Sequence, residues 1–304
     1  MNDAVQIVEV GPRDGLQSQS ASLDVATRVA FIERLIGAGV RRLEVASFVN
    51  PSRVPQMAGA EEVVAALPRR DDVAYIGLVL NRRGFERAAA CGLREVNCVV
   101  IASDAFGMRN QRQTIEEALQ GAGEIATRAR AGGIRCGVTI ATAFGCPFEG
   151  EVDPARVIRI AQRLADMGVD EIALADTIGV AVPSQVAHLV AGVRSAIAGI
   201  ALRCHFHNTR NTGIANACAA LGAGVRILDA SCGGIGGCPF APNATGNIAT
   251  EDLLYVLHRM GHTTGISLEA MIDVARWIEA PLGIAVPAML TRAGVFPAAS
   301  RAAR

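Results

Sequence analysis

The chain has 304 residues, 51% of them hydrophobic, which is ample for one large core or two small ones. Basic and acidic side chains balance at 29 each, so the net charge is zero and nothing points to nucleic acid or an acidic membrane as partner. All 29 of the basic side chains are arginine; with no lysine, a Schiff base to a lysine amine and a Walker phosphate loop are both excluded.

Aromatic residues make up only 4%, and small and branched aliphatics dominate, a composition suited to buried parallel strands and close-packed helices. No apolar run is long and uncharged enough to span a bilayer. The N-terminus, Met-Asn-Asp-Ala-Val, enters a strand with no basic n-region or apolar h-region, so a cytosolic location is expected. None of the eight cysteines forms a C-x-x-C pair, and most are expected to be buried small hydrophobes rather than a disulfide framework.

In chain order, strand-like runs are VQIVEV (5–10), RRLEVASF (41–48), VAYIGLVL (73–80), EVNCVVIA (95–102), CGVTIATAF (136–144), EIALAD (171–176), IALRCHFH (200–207) and VRILDAS (225–231). Between them lie amphipathic stretches at 22–38, 58–67, 83–91, 114–131, 154–168, 183–198, 211–223 and 250–261. Several of these exit through glycine into the next strand, as in GAGV (37–40) and LGAGV (221–225), the usual helix-to-strand turn. Eight such units predict an α/β fold, a single (β/α)8 TIM barrel, over residues 1–304, with 264–304 as a C-terminal helical extension. The alternative, a doubly wound open sheet, would carry a glycine fingerprint after the first strand, and GPRDG (11–15) is not one.

Active sites of such barrels lie at the C-terminal ends of the strands. Those ends hold Arg13, Asp14 and Gln17, then Glu44 and Ser47, Asn110, Asp176 and Thr177, His205 and His207, and a glycine-rich loop. His205 and His207 are two apart, so a strand places both imidazoles on one face. Either they offer nitrogen ligands to one ion, or they are inert polar residues at a strand end. With Asp14 they form a two-histidine, one-carboxylate set that suits a divalent ion with positions left for substrate, Mg²⁺ or Mn²⁺ foremost. Asp14 can equally be a turn residue.

Arg13 can neutralise an oxyanion beside the ion, or serve as a rim salt bridge. Glu44 sits between Leu43 and Val45 in an apolar strand and needs a partner, for which Arg13 is the natural candidate. The loop GGIGGCPFAPNATGN (233–247) sets Cys238 after four glycines, where its thiol can act as a mobile acid/base group or the loop can simply turn the chain. Asn247 either caps the following helix or gives a fourth, oxygen ligand.

The segments VEVGPRDGLQ (8–17), SFVNPSRVPQM (47–57), FGCPFEG (144–150), ADTIGV (175–180), CHFHNT (204–209) and GGIGGCPFAPNATGNIATEDLLYVL (233–257) resemble the hydroxymethylglutaryl-CoA lyase family, in order and over roughly residues 5 to 290. The resemblance implies a metal-dependent TIM-barrel lyase that cleaves 3-hydroxy-3-methylglutaryl-CoA to acetyl-CoA and acetoacetate by a retro-Claisen reaction. It implies Asp14, His205, His207 and Asn247 as metal ligands. Arg13, Glu44, Asp176, His205 and Cys238 form the implied catalytic set: Arg13 stabilises the thioester enolate, Cys238 is the loop acid/base, and Glu44 and Asp176 support proton transfer. An acyl-CoA partner follows; Asn110, with Arg109 and Arg112, is assigned to its phosphates. A homodimer paired through the C-terminal helices is expected.

Two segments depart from the family pattern. Asn208-Thr209-Arg210-Asn211 stands where the family has Asp-Thr-Tyr-Gly, and Cys232, Gly233, Ile235 and Phe240 alter the cysteine loop. These changes put the acyl group in question rather than the chemistry, and citramalyl-CoA is the alternative substrate. Arg210 can pair with a substrate carboxylate or stand as a rim charge.

Overall fold

The computed structural model describes residues 4–237 and 246–297. Eight parallel strands follow each other around a closed barrel: β1 (Gln6–Glu9), β2 (Arg42–Ser47), β3 (Ala74–Leu78), β4 (Glu95–Ile101), β5 (Arg135–Ala141), β6 (Glu171–Asp176), β7 (Ala201–Phe206) and β8 (Ile227–Ala230). β8 closes onto β1 from Gln6↔Ile227 to Glu9↔Ala230. The helices are α1 (Val25–Gly37), α2 (Ala60–Ala66), α3 (Arg82–Ala90), α4 (Asp104–Asn110), α5 (Ile115–Ala131), α6 (Pro154–Asp166), α7 (Pro183–Ala196), α8 (Gly213–Gly222), α9 (Thr250–Arg259), α10 (Leu268–Leu282) and α11 (Leu290–Ala293). The TIM barrel expected from the periodicity is therefore the observed fold, with α10 and α11 as extra C-terminal helices. Among the described residues no helix is long and apolar enough to cross a membrane.

Strand alternation separates two environments. Ile7, Leu43, Val45, Val138, Ile140, Ile172 and Leu174 belong to the main core between sheet and helices, each worth roughly 1.5–3 kcal/mol of burial. Val8, Val10 and Ile76, with Ile227 against them, form a separate small cluster on the opposite strand face. Helix exits are tight where glycine demands it. Gly39 follows α1 with φ +109°, and a Cβ there would lie 2.4 Å from the Gly265 carbonyl. Trp277 of α10 stacks on Phe31 of α1, ring centroids 6.3 Å apart, which seats the C-terminal helix on the first.

The barrel interior also carries a charged network. Arg42 pairs with Glu95 and donates to both Glu171 oxygens at 2.8 and 2.9 Å. Arg203 contacts Glu171 at 3.0 Å and Asp229 at 3.1 Å. All five side chains are buried. Charges removed from water in this way hold only while every partner is present.

Two local elements differ from the expected ones. Strand β1 ends at Glu9, and Asp14 lies not in a plain turn but in a π-helical turn, Gly11–Gly15. The single Val10 carbonyl accepts the N–H groups of Arg13 (3.2 Å), Asp14 (2.8 Å) and Gly15 (3.1 Å). Helix α4 was not expected; its Gly107 and short length hide its periodicity, and Ser103 caps it by accepting from Phe106 N at 3.1 Å.

Candidate active site

The π-helical turn points Arg13 and Asp14 over the C-terminal mouth of the barrel, where β7 delivers the histidines. The ligand atoms of Asp14, His205 and His207 lie within 4.8 Å of one another. The two imidazole centroids are 5.1 Å apart, as expected for alternate residues on one strand face. Cys204 and Phe206, on the other face, are buried in the core.

The protonation of this cluster suits a cation. Burial would raise the Asp14 carboxyl, but Arg13, His205, His207 and the Asn247 amide outweigh it and hold it at about 2. Burial, with the neighbouring His205, pushes the His207 imidazole down to about 3, so it is neutral. His205 is also penalised by burial, yet its bond to Asp229 and the charges of Asp229 and Asp14 raise it. Asp229 is itself kept ionised: burial opposes this, and Arg203 and His205 overcome it. An ionised Asp229 Oδ2 at 3.1 Å from His205 Nδ1 requires a proton on Nδ1, so in the neutral ring the lone pair lies on Nε2.

Asn247 does not cap α9. Its Nδ2 donates to Asp14 Oδ2 at 2.8 Å and to the Ile235 carbonyl at 3.1 Å. Its Oδ1 is buried without a partner, as is His207 Nδ1. Buried acceptors are rarely left so. Two orphaned atoms beside a converging carboxylate and imidazoles are a donor set that fits a divalent ion.

Arg13 binds Glu44 as its strand context required. Nε donates to Glu44 Oε2 at 2.7 Å, Nη2 reaches the same oxygen, and Nη1 donates to Asp14 Oδ1 at 2.7 Å. Glu44, 1% exposed, also accepts from Asn97 Nδ2 at 3.4 Å. The guanidinium is thus fixed in orientation beside the Asp14 cluster.

These groups line a cavity of about 1150 Å³ that runs outward past Asn50, Arg53, Arg83 and Asn110, ample for a large ligand. Asn110 lies where the sequence placed it, on the wall. Arg109 and Arg112 do not line the cavity; Arg109 instead stacks over the Phe148 ring at 4.0 Å. Besides Arg13, the cations on the wall among the described residues are Arg53, Arg83 and Arg87, of which Arg87 is paired with Glu61; in sequence Arg53, in a loop, and Arg83, at the start of α3, look like ordinary surface arginines.

Asp176 is placed differently from its expected partners. Ala175 and Thr177 line the cavity and Asp176, between them, does not. Its carboxylate accepts from Val180 N at 2.9 Å and Ala181 N at 3.1 Å, which makes it the anchor of the loop into α7. Arg210 is likewise engaged, donating to the Ile178 and Gly179 carbonyls at 3.1 and 3.0 Å. Cys238 lies outside the described residues; Gly237, just before it, lines the cavity.

Three carboxylates escaped the reading of strand ends. Asp229 sits in the apolar run VRILDAS and carries the same signal as Glu44, a charge in a buried strand. Glu9, also within a strand, is 0% exposed and accepts from Gly11 N and Cys232 N at 2.8 and 2.9 Å. Glu251 is equally buried and accepts the Gly233 N–H with both oxygens at 3.1 Å. Its place in a helix gave no such signal.

The chain is 48% identical to the (R)-citramalyl-CoA lyase of Chloroflexus aurantiacus, over 97% of this chain and 96% of that protein. It is 46% identical to the hydroxymethylglutaryl-CoA lyase of Pseudomonas mevalonii, over 98% of each. Among solved structures, an HMG-CoA lyase from Acinetobacter baumannii in complex with coenzyme A and 3-methylmalate superposes with a TM-score of 0.94 at 39% identity, covering 98% of this chain and 97% of that one. The HMGL-like family model matches residues 4–278, and the chain belongs to that family.

Proposed function

We propose that this protein is a divalent-metal-dependent carbon–carbon lyase that cleaves 3-hydroxy-3-methylglutaryl-CoA to acetyl-CoA and acetoacetate. The observation that carries this reading is the convergence of Asp14, His205 and His207 beside the Arg13–Glu44 pair at the inner end of one cavity. The relatives named above support the substrate class.

Asp14, His205, His207 and the Asn247 Oδ1 would hold Mg²⁺ or Mn²⁺, which supplies Lewis-acid polarisation next to the bond that breaks. The chain's own groups do the rest. Arg13 faces the thioester oxygen and offsets the negative charge of the enolate as the bond breaks. Glu44 holds the guanidinium in that orientation, so no reorganisation is needed at the moment of reaction. Asp229 keeps the His205 proton on Nδ1. The proton lost by the tertiary hydroxyl balances the one gained by the enolate carbon, and Cys238 is assigned to this exchange. Arg53, Arg83 and Asn110 on the outer wall would take the coenzyme's phosphates. The exposed Ile284, Met289 and Phe296 of the C-terminal segment supply apolar surface for a homodimer, which light scattering of the purified chain tests.

A second reading, cleavage of citramalyl-CoA, is favoured by the 48% identical relative. Turnover of both thioesters, with Mg²⁺ or Mn²⁺ and then with EDTA, decides between them. Chelator-sensitive cleavage of the first alone supports the main reading. Cleavage of the second alone moves the specificity, and inertness toward both removes the lyase assignment.

A further inference from the structure

Glu9 has no cationic partner among the described residues. Its two oxygens instead accept from three separate chain segments. Oε1 takes the N–H of Gly11 (2.8 Å), the first residue of the turn that carries Arg13 and Asp14. The same oxygen takes the N–H of Cys232 (2.9 Å), which opens the loop running through Gly237 toward Cys238. Oε2 takes the hydroxyl of Thr250 (2.6 Å), the first residue of α9 and three after Asn247. Glu9 is fully buried and does not line the cavity.

Two of the three segments carry residues of the metal cluster that β7 completes with His205 and His207. Asp14 comes from the first, and Asn247, which donates to it at 2.8 Å, precedes the third. The segment around Asn247 is pinned further by four backbone bonds: Asn208 N to Gly246 O at 2.8 Å, Ile248 N to Phe206 O at 3.1 Å, Ser231 N to Ile248 O at 3.0 Å and Thr250 N to Ser231 O at 3.1 Å. No bond in that set ties it to the Arg13–Asp14 turn. A carboxylate can accept from all three donors at once. A glutamine keeps the two N–H bonds at its oxygen but must turn its NH₂ to Thr250, so that hydroxyl accepts instead of donating and the negative charge is lost. The fit is close: a Cβ on Gly11 would lie 2.7 Å from Glu9 Oε1.

We propose that Glu9 is a positioning residue that sets how Asp14 meets Asn247, and through them how tightly the Asp14–His205–His207 cluster takes a divalent ion. The inference rests on the metal-binding part of the function proposed above.

The test is a Mn²⁺ titration of the full chain, with free Mn²⁺ counted by electron paramagnetic resonance, for the wild type, Glu9→Gln, Thr250→Val and Gly11→Ala. Glu9→Gln is expected to weaken Mn²⁺ binding about tenfold, the range seen when a group that orients metal ligands is removed. Its kcat at saturating Mn²⁺ should fall while KM for the thioester stays near wild type. Thr250→Val and Gly11→Ala should shift Mn²⁺ binding in the same direction by less. Wild-type Mn²⁺ affinity in a folded Glu9→Gln overturns the proposal. If that variant does not fold, wild-type affinity in both of the others overturns it. A wild type that binds Mn²⁺ but cleaves neither thioester sinks the lyase reading alone, and the titrations still decide the role of Glu9. A wild type that takes no Mn²⁺ removes the metal site and this inference with it.

Discussion

Asp229 Oδ2 lies 3.1 Å from His205 Nδ1, and the other Asp229 oxygen lies 3.1 Å from Arg203 Nη1. One carboxylate therefore joins the charged network of the barrel interior to the imidazole that faces the cavity. Replacing it with asparagine keeps the shape but removes the charge that holds the proton on Nδ1. Asp229→Asn should weaken Mn²⁺ binding by roughly 10- to 100-fold. Equal Mn²⁺ titrations for the two proteins would show that Asp229 does not act through His205.

Among the described residues, Arg13 is the one cation ion-paired with both Asp14 and Glu44. Arg13→Gln removes a donor preorganised toward developing negative charge, and kcat should drop by about 10²–10³. Mn²⁺ binding should persist, because Asp14 and the histidines remain. A variant with near wild-type kcat would take Arg13 out of the chemistry.

Arg210 replaces an aromatic residue of the family pattern, yet both of its bonds go to backbone carbonyls of the loop after β6. Arg210→Ala is expected to lower stability by about 1 kcal/mol and to leave the ratio of kcat/KM for the two thioesters unchanged. A changed ratio would place the guanidinium at the substrate carboxylate after all.

Glu251 carries a pH dependence whose sign follows from its burial. Burial raises its carboxyl from the ordinary range to about 8, against the opposing bond from Gly233 N. Between the unfolded value near 4.5 and about 8, the folded state therefore binds more protons than the unfolded state. Stability from this group is complete below the lower value and declines as pH rises to the upper one. Glu9, raised by burial to about 7, acts in the same direction. His207, pushed down to about 3, acts in the opposite one, so the contribution is isolated by difference. Thermal unfolding of Glu251→Gln should match wild type more nearly at pH 5 and exceed it at pH 9; a constant offset across that range refutes the assignment.

Cys238→Ser should leave fold and Mn²⁺ binding intact while turnover falls by orders of magnitude, since a hydroxyl is a far weaker proton donor than a thiol. Turnover at the wild-type rate would remove the cysteine from the reaction.

What the sequence determined by itself is what short-range physics encodes. Alternation and helical periodicity marked all eight strands, because each must bury one side chain in two between sheet and helices. The His205–His207 spacing already required two imidazoles on one face. The Glu44 carboxylate, stranded between Leu43 and Val45, required a cation, and Arg13 supplies it. Other relationships depend on closure of the barrel and on register, which no local pattern carries. Asp14 and Asn247 come from opposite ends of the chain and touch only because β8 returns to β1. Asp176 stands one residue from Ala175 and Thr177, and strand parity turns its carboxylate away from the cavity that they line. Arg53 and Arg83 reach the cavity wall because the loop after β2 and the start of α3 after β3 converge there. Side chains are assigned to faces by local sterics, but which faces meet is decided by how the whole sheet closes.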